Sequence, residues 1–336
     1  MKPFFSCIIT AFNEGETARV ALQSLLSQSF SDFEVLVVHD GVDKATEDIL
    51  IEYQDARIVH IPQFNDGLSS ARNRAIPHCR GEYICFLDAD DLRPNWAFES
   101  VHRTIISNKM PDCIFSPGLL VELRNEVLSF YDQYIFDYFT RLGQLSFEGV
   151  AAEEQISKTL FIEPQSANKF VKKKLVDKYK LRYPTGLFFE DMFFHAGVCA
   201  CMESFAINTS PSFTYFRRYG RPQITTGAGL NRFDVISMAF ITLKYWENSS
   251  RFSNYDASSA LFLSLFRLVR WCEESISHLY RWGFGQSVSQ QFGAMSEPWF
   301  NIINSNEMQN ITKKVPWAAD IFEYIKLRMQ GVLRNI

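Results

Sequence analysis

Short hydrophobic runs alternate with helical patterns along the first 115 residues of the chain. The runs rich in β-branched and aromatic residues are Phe5 to Thr10, Glu34 to His39, Arg57 to Ile61 and Tyr83 to Leu87, and each predicts a strand. Between them, apolar residues recur at helical spacing at Ala18, Ala21, Leu22, Leu25 and Leu26, and again at Leu68, Ala71, Ala75 and Ile76. Strands that alternate with helices predict a Rossmann-like α/β domain on a mixed, mostly parallel sheet.

The pattern changes twice in the remainder of the chain. Residues 112–229 combine a predicted strand at Cys113 to Ser116 with a helix that begins near Asp191. Beyond Leu230, apolar residues fall on one face of long helices, first at Val235, Met238, Ala239, Thr242 and Leu243 and then at Leu261, Leu265, Leu268 and Val269. We therefore predict an α/β domain over residues 1–229, with halves at 1–111 and 112–229, and a helical region over residues 230–336.

Composition and charge narrow the class of protein. A chain of 336 residues with 47% hydrophobic and 21% charged content is typical of a folded globular protein. The formal net charge of -4 disfavours a nucleic-acid partner, because such partners are normally bound by a basic excess or stripe. The seven cysteines are odd in number and mostly embedded in apolar runs, which predicts reduced thiols and a cytoplasmic protein.

Two interpretations of the C-terminal helices stay open at this stage. The first apolar run, Phe4 to Thr10, is too short for a secretory signal, and the stretch Ala260 to Phe266 is too short to span a membrane. One interpretation is peripheral contact with the inner face of a membrane, or a homodimer, through a set of apolar and basic residues. The set is Phe262, Leu263, Phe266 and Trp271 beside Arg267 and Arg270. The other is that these helices pack on the preceding domain.

Polar side chains follow three of the predicted strands at the point where each strand ends. They are Thr10 to Glu14 after the first strand, His39 to Gly41 after the second and Asp88 to Asp91 after the fourth. In an open parallel sheet, ligands bind in the crevice at the carboxyl ends of the strands. Acids beside a hydrophobic core are costly unless they serve a purpose, so this edge is the predicted ligand site.

Asp88 and Asp90 form an Asp-x-Asp pair directly after the apolar run Tyr83 to Leu87. Two carboxylates at one point suit a hard divalent cation such as Mg²⁺ or Mn²⁺, which commonly shares its ligands with substrate phosphates. The alternative is a solvated turn or a helix cap near Pro94. The sequence has neither Gly-x-Gly-x-x-Gly nor the P-loop motif, which disfavours dinucleotide dehydrogenases and P-loop enzymes.

Four segments together resemble the family 2 glycosyltransferases with the GT-A fold. These are Phe5 to Glu14, Val35 to Gly41, Asn65 to Asn73 and Gly81 to Asp91, and a further block from Asn168 to Lys173 through Phe188 to Asp191 is similar to the same family. The resemblance covers residues 4–226 and implies a GT-A catalytic domain, with 1–111 as the nucleotide-binding half and 112–229 as the acceptor half.

The resemblance implies inverting transfer of a hexose-type sugar from a UDP-sugar to an acceptor hydroxyl. It places Thr10, Phe12, Asn13, Glu14, Asp40, Arg72 and Asp88 at the nucleotide sugar, with Asp40 facing the uracil imide, and Asp88 and Asp90 on Mn²⁺ or Mg²⁺. It makes Asp191 the general base and leaves Glu190 to orient the acceptor or a neighbouring loop. For Asp191, capping of the helix that it begins is the alternative.

Two departures from the family pattern concern the same site. His39 and Val42 stand where the family usually has Asp and Ser, although Asp40 is retained. Some members supply a late His ligand to the metal, but the sequence has no His between His195 and His278. The arginines available to neutralise a diphosphate in its place are Arg217, Arg218 and Arg221, unless they form only a solvated basic loop.

Family analogy alone suggests surface-polysaccharide or lipid-linked oligosaccharide synthesis, with a glycan or lipid-linked acceptor. One alternative is a Mg²⁺-dependent phosphotransferase or phosphatase, which also uses Asp-x-Asp but carries it on the first strand. The other is a non-catalytic nucleotide or glycan-binding module, against which the presence of Asp88, Asp90 and Asp191 argues. The sequence leaves the sugar, the acceptor and the oligomeric state undetermined.

Overall fold

The predicted sheet is present in a computed structural model that describes residues 2–122, 126–217 and 227–333. The strands are β1 (Phe5–Ala11), β2 (Phe33–Asp40), β3 (Ile58–Gln63), β4 (Tyr83–Asp88), β5 (Cys113–Phe115), β6 (Gly118–Val121), β7 (Val127–Ser129), β8 (Ser146–Glu148), β9 (Lys169–Lys172), β10 (Ser204–Ile207) and β11 (Phe213–Phe216). The five strands predicted from sequence are confirmed, each to within two residues at either end.

The main sheet has eight strands in the order β3-β2-β1-β4-β9-β5-β10-β8. The neighbours β1, β2, β3 and β4 pair in parallel, whereas β9 and β8 run antiparallel to the strands beside them. A second sheet has the order β11-β6-β7. The expected mixed, mostly parallel α/β sheet is therefore confirmed.

Helices connect and flank the strands. They are α1 (Glu16–Leu26), α2 (Lys44–Glu52), α3 (Leu68–Ala75), α4 (Ala97–Ser107), α5 (Gln133–Leu142), α6 (Gly149–Thr159), α7 (Lys173–Lys178), α8 (Glu190–Cys201), α9 (Asp234–Glu247), α10 (Tyr255–Ser275), α11 (His278–Gly293), α12 (Glu297–Ile303), α13 (Asn306–Lys314) and α14 (Ala318–Leu333). The predicted helical region after Leu230 is confirmed, and the helix expected near Asp191 begins one residue earlier. None of the helices in the described residues is long and apolar enough to cross a membrane.

The chain divides into two compact units, and each unit is built from three separate stretches of the sequence. The first comprises Met1–Glu154, Gln165–Gly186 and Cys201–Gly220, and the second comprises Gln155–Pro164, Leu187–Ala200 and Arg221–Ile336. Both sheets belong to the first unit. The segment that carries Asp191 groups with the C-terminal helices, while the functional boundary at residue 229 stays a prediction.

The core of the first unit forms where β1 is covered on both faces. All seven residues of β1 are buried, which is typical of a central strand in a parallel sheet with helices on each side. Phe5 stacks near Phe98 of α4 with ring centroids 5.1 Å apart, and Ala18, Leu22 and Leu25 of α1 pack against the same cluster. The rigid strand therefore holds the residues that follow it in fixed positions.

The second unit has its own aromatic core, and this core bears on the two interpretations of the C-terminal helices. Of the two interpretations left open for the C-terminal helices, contact with a membrane or a partner would need Phe262, Leu263 and Phe266 to be exposed, but all three are fully buried. Phe266 stacks on Phe292 with centroids 4.9 Å apart, and Phe262 lies 5.5 Å from Trp299. Periodicity identified the apolar face correctly, but it could not show that α11 and α12 supply the aromatic rings that cover it.

Candidate functional site

The carboxyl ends of three adjacent strands bring the predicted donor residues to one edge of the main sheet. Thr10 near the end of β1 pairs with Val38 of β2 on one side and with Asp88 of β4 on the other. Asp40 ends β2, and β1 lies between β2 and the strand β4 that carries Asp88. Side chains that are far apart in sequence therefore share this edge, because parallel strands all end on the same side.

The segment after β1 is held by its own polar side chains. The Phe12 N–H donates to the Glu14 carboxylate at 2.6 Å, and the Asn13 side-chain oxygen accepts from the Asp43 N–H at 2.8 Å. Asn13 and Glu14 therefore shape the loop, whatever they contribute to a ligand. The Phe12 ring is 41% exposed, so it is available to pack against a flat base.

Asp40 is a buried carboxylate surrounded by uncharged donors. Its Oδ1 accepts from the Gln63 amide at 2.7 Å and the Asp66 N–H at 2.8 Å, and its Oδ2 accepts from the Gly67 N–H at 3.1 Å. Gly41 makes room for this arrangement, because its φ is +67° and a Cβ there would lie 2.7 Å from Asn65. Asp40 therefore fixes the loop that leads into α3.

Asp88 and Arg72 form an ion pair at the centre of the edge. The Arg72 Nη2 lies 2.8 Å from the Asp88 Oδ1, and the side chains are 2% and 43% exposed respectively. The guanidinium also lies 5.1 Å from the centre of the Tyr183 ring. Arg72 is thus a buried support that orients a partly exposed carboxylate.

Asp88 and Asp90 are the residues that could hold a divalent cation. Both are partly accessible to solvent and lie two residues apart after β4. No group of three or more His, Cys, Asp or Glu with metal-binding geometry occurs in the described part of the chain. Two oxygen donors still fit Mg²⁺ or Mn²⁺, since these ions usually keep several waters and take further ligands from substrate phosphates.

Sequence reasoning missed two buried supports of this edge. Asp91 accepts a hydrogen bond from the Phe216 N–H at 3.3 Å, and Leu92 exchanges backbone hydrogen bonds with Thr214 of β11. Arg93 donates to the carbonyl oxygens of Ser212 at 2.8 Å and Phe86 at 2.9 Å. The only sequence signal was a charged run directly after a buried strand, which equally predicts a solvated turn.

Glu190 and Asp191 begin α8. Glu190 is buried and Asp191 is partly exposed. Phe189, just before the helix, has a φ of 67°, a left-handed conformation that is uncommon for an aromatic residue and marks local strain. The Met192 N–H donates to the Phe189 carbonyl at 3.1 Å. This tight turn places the two acids at the start of the helix, where negative charge is favoured.

The predicted basic loop is described only in part. Arg217 lies 2.6 Å from the Glu122 carboxylate and also donates to the Tyr131 hydroxyl, so its charge already has an acidic neighbour. Arg218 and Arg221 lie outside the described residues. The role of these arginines at a diphosphate stays a prediction.

The chain is similar to known proteins in sequence over part of its length and in fold over nearly all of it. Residues 6–108 match the model of glycosyl transferase family 2. The chain is 38% identical over 112 residues to the uncharacterized glycosyltransferase EpsJ of Bacillus subtilis, an alignment that covers 33% of each protein. This chain contains a family 2 glycosyltransferase domain. The alignment spans only about a third of that relative's length, so the activity of the whole chain is a separate question.

Solved structures extend the likeness of this glycosyltransferase domain to the whole chain, at the level of fold. TarS 1-349 of S. aureus, solved in complex with UDP-GlcNAc, has a TM-score of 0.73 at 15% identity, with 99% of this chain and 92% of that chain covered. The mannosyltransferase PcManGT of Pyrobaculum calidifontis, in complex with GDP-Man and Mn²⁺, has a TM-score of 0.54 at 13% identity, covering 100% and 88%. Identities this low show the fold alone, which is GT-A-like with added helices.

The family 2 match contains the carboxyl ends of β1, β2 and β4, the sheet edge that we call the donor edge. Its residues 6–108 include β1 to β4 and thus Thr10, Asp40, Arg72, Asp88 and Asp90. Glu190 and Asp191 lie beyond it, in the second compact unit. The match therefore covers the acids of the donor edge but not the two acids expected on the acceptor side, and the roles of all of them stay predictions.

Proposed function

We propose that the protein is an inverting glycosyltransferase that transfers a hexose-type sugar from a UDP-sugar to an acceptor hydroxyl. The observation that carries this proposal is the convergence of Asp40, Asp88 and Asp90 at one sheet edge inside the family 2 domain. The sequence lacks glycine motifs that would bind phosphates through the backbone. A metal and the neighbouring cations are then left to neutralise a diphosphate.

The donor nucleotide binds between Phe12 and Asp40 in this proposal. A carboxylate offers about four lone-pair positions, and Asp40 uses three of them for Gln63, Asp66 and Gly67. A position on Oδ2 remains for the imide N–H of uracil. TarS binds UDP-GlcNAc, which supports a uridine donor, whereas PcManGT binds GDP-Man and makes a guanosine donor the comparison to test.

Asp88 and Asp90 hold the divalent cation, Mn²⁺ or Mg²⁺, in this proposal. When bound, the ion supplies positive charge to the diphosphate of the donor. Arg72 contributes by holding Asp88 in one orientation through the 2.8 Å ion pair. Thr10, which pairs with Asp88 in the sheet, lies on the same edge and contacts the nucleotide.

Asp191 acts as the general base. Inversion requires the acceptor oxygen to attack the anomeric carbon from the face opposite the departing diphosphate, so the base is a carboxylate other than the metal-binding pair. The new bond joins the acceptor oxygen to the anomeric carbon, and the bond between that carbon and the phosphate oxygen breaks. The hydroxyl proton passes to Asp191, and UDP leaves with the bonding electrons. Glu190 orients the acceptor.

The setting is surface-polysaccharide or lipid-linked oligosaccharide synthesis at the cytoplasmic face of a membrane. Because Phe262, Leu263 and Phe266 are buried, membrane or dimer contact has to rest on other residues. Leu279 and Trp282, in the first turns of α11, are large apolar side chains with high exposure. Liposome flotation and light scattering test this part of the proposal. A protein that stays monomeric and does not float with liposomes would exclude membrane and dimer contact, and the C-terminal helices would then only pack within their own unit.

A donor screen tests the central proposal. Ligands that bind the folded state raise its apparent stability, so UDP-, GDP-, CMP- and dTDP-sugars are compared by thermal shift with and without Mn²⁺. We expect the largest shift with a UDP-sugar and Mn²⁺, and calorimetry with UDP in EDTA should show the affinity lost. An equal response to GDP-sugars would overturn the uridine assignment, and binding unaffected by EDTA would overturn the metal assignment.

Asp191→Asn tests the mechanism separately from donor binding. We expect kcat to fall at least ~10²-fold with UDP and Mn²⁺ affinities unchanged within a few-fold, the usual result of removing a general base. Asp320→Asn, in the first turn of α14, is a matched control because it makes the same change at an exposed acid of another helix start. Normal turnover with weakened donor binding would place Asp191 at the nucleotide instead.

A further inference from the structure

A basic cleft lies at the end of the main sheet opposite to the donor edge. It has a volume of about 740 Å³ and is lined by Lys2, Cys79, Arg80, Glu82, Lys173, Lys174, Asp177 and Lys178. Its volume falls within the range of ordinary ligand pockets, about 300–1,000 Å³. All of these residues belong to the first compact unit.

The sheet topology explains why these residues meet. Lys2 precedes β1, and Arg80 and Glu82 precede β4, so they lie at the amino ends of two neighbouring strands. β9 runs antiparallel to β4, with Lys172 paired to Tyr83. The end of β9 therefore delivers α7, with its lysines, to the same place. Three separate segments build the cleft.

The charge of the cleft is opposite to that of the whole chain. Five cations and two acids line it, and one of the cations, Arg80, is also paired with the buried Glu34. Five cations against three acids leave a net charge of +2, whereas the formal net charge of the protein is -4. Lys2 lies 2.8 Å from Glu82, and Lys173 lies 2.5 Å from Asp177. Neither Lys174 nor Lys178 has a carboxylate within ion-pair distance among the described residues. Positive charge therefore accumulates in a concave surface, where the field is focused.

We propose that this cleft binds a phosphate-bearing anion. A single carboxylate would balance only part of the +2 charge, while each phosphate group carries a charge of about -1.5 to -2 at neutral pH. Lysine binds phosphate as a compact point charge without the planar geometry that carboxylate recognition favours. The ligand is either a soluble phosphorylated compound or the phosphate of a lipid headgroup, since both present the same chemistry.

Two variants with the same charge change isolate the cleft. Lys174→Gln/Lys178→Gln removes the two lysines that lack an acidic partner, and Lys313→Gln/Lys314→Gln removes two exposed lysines from α13 as the control. Sodium pyrophosphate is titrated by calorimetry in EDTA, and flotation is measured with vesicles of phosphatidylglycerol and phosphatidylcholine against phosphatidylcholine alone. The EDTA also removes the metal on which diphosphate binding at the donor edge depends in the proposed function, so the titration reports on the cleft.

We expect the cleft variant to bind the anion at least ~10-fold more weakly than wild type. The control variant should bind it normally, and the cleft variant should keep its affinity for UDP with Mn²⁺. Binding of pyrophosphate identifies a soluble ligand, and flotation only with phosphatidylglycerol identifies a headgroup. If wild type binds neither, or if the cleft variant binds as wild type does, the proposal is overturned.

Discussion

Strand β2 carries a buried acid near each end, and the two are held in different ways. Glu34, near the amino end, is 2% exposed and accepts from the Arg80 Nε at 2.7 Å and the Ser6 hydroxyl at 2.6 Å. Asp40, at the carboxyl end, is 5% exposed, and its hydrogen-bond donors among the described residues are the Gln63 amide and the N–H groups of Asp66 and Gly67.

The difference lies in the charge of the partner. A guanidinium neutralises Glu34, so this carboxylate has an internal counterion. Neutral donors stabilise Asp40 but leave its charge to act on whatever binds at the donor edge. A buried acid is therefore informative about function only when its partners are examined, and burial alone would not separate these two residues.

Asp88 combines features of both acids and should show the largest effect on activity. It has an arginine partner, as Glu34 does, but its side chain is 43% exposed at the donor edge. We expect Asp88→Asn to lower kcat/KM at least ~10²-fold, about 2.7 kcal/mol, because the metal loses a charged ligand. Asp66→Asn, which removes an exposed acid near the same edge, is the control and should stay close to wild type.

Glu34→Gln should show the reverse profile, with a loss of stability and normal donor binding. The amide nitrogen cannot accept from Arg80, so at least one buried hydrogen bond is lost, at a cost of roughly 2–3 kcal/mol. Urea unfolding measures this loss, and UDP calorimetry should give an unchanged affinity. Glu82→Gln is the control, because Glu82 is a partly exposed acid paired with Lys2, and surface pairs contribute at most about 1 kcal/mol. A drop in UDP affinity in Glu34→Gln would show that Glu34 also affects donor binding and is not a purely structural acid.

The contrast also shows what sequence alone could predict. The β-rich runs located all of the first five strands, and the rule that ligands bind at carboxyl ends led directly to Asp40, Asp88 and Asp90. The Glu34–Arg80 pair was missed because its members are 46 positions apart and a surface arginine has no periodic pattern. Arg93 was missed for the same reason, since nothing local shows that it donates to carbonyls of three separate segments.

The least predictable part was the covering of the C-terminal helices. The sequence placed Phe262 and Phe266 on an apolar face but could not determine whether lipid, a second copy or the chain itself covers it. The rings of Phe292 and Trp299 do so. Long-range packing decides between these outcomes, and the amphipathic pattern is identical for all three.

Asp40→Asn should show a smaller, mixed effect that tests the comparison directly. We expect the affinity for UDP to fall about tenfold, or about 1.4 kcal/mol, because a neutral amide accepts the uracil N–H less well than a carboxylate. Some stability should also be lost, since the amide nitrogen would face one of three donors. Calorimetry and urea unfolding on the same protein separate the two losses. If stability falls while UDP affinity is unchanged, Asp40 is a structural acid like Glu34.

The smallest effect should come from His39, which lies between the two acids on β2. Its Nε2 lies 2.9 Å from the Nδ1 of His60 on β3. Burial and then the neighbouring His60 lower the pKa of His39, against a smaller opposing effect of Glu47 on α2, and burial lowers the pKa of His60.

Because both folded-state pKa values lie below the ordinary value of 6.5, the unfolded chain binds protons more readily than the folded one. The stability from the neutral pair is therefore present above the ordinary pKa and is lost as the pH falls below it. The hydrogen bond reinforces this, since two protonated imidazoles are both donors only. Urea unfolding from about pH 8 to about pH 5 should show a decline that is shallower in His39→Gln, and equal slopes would show that the pair does not control acid stability at this end of β2.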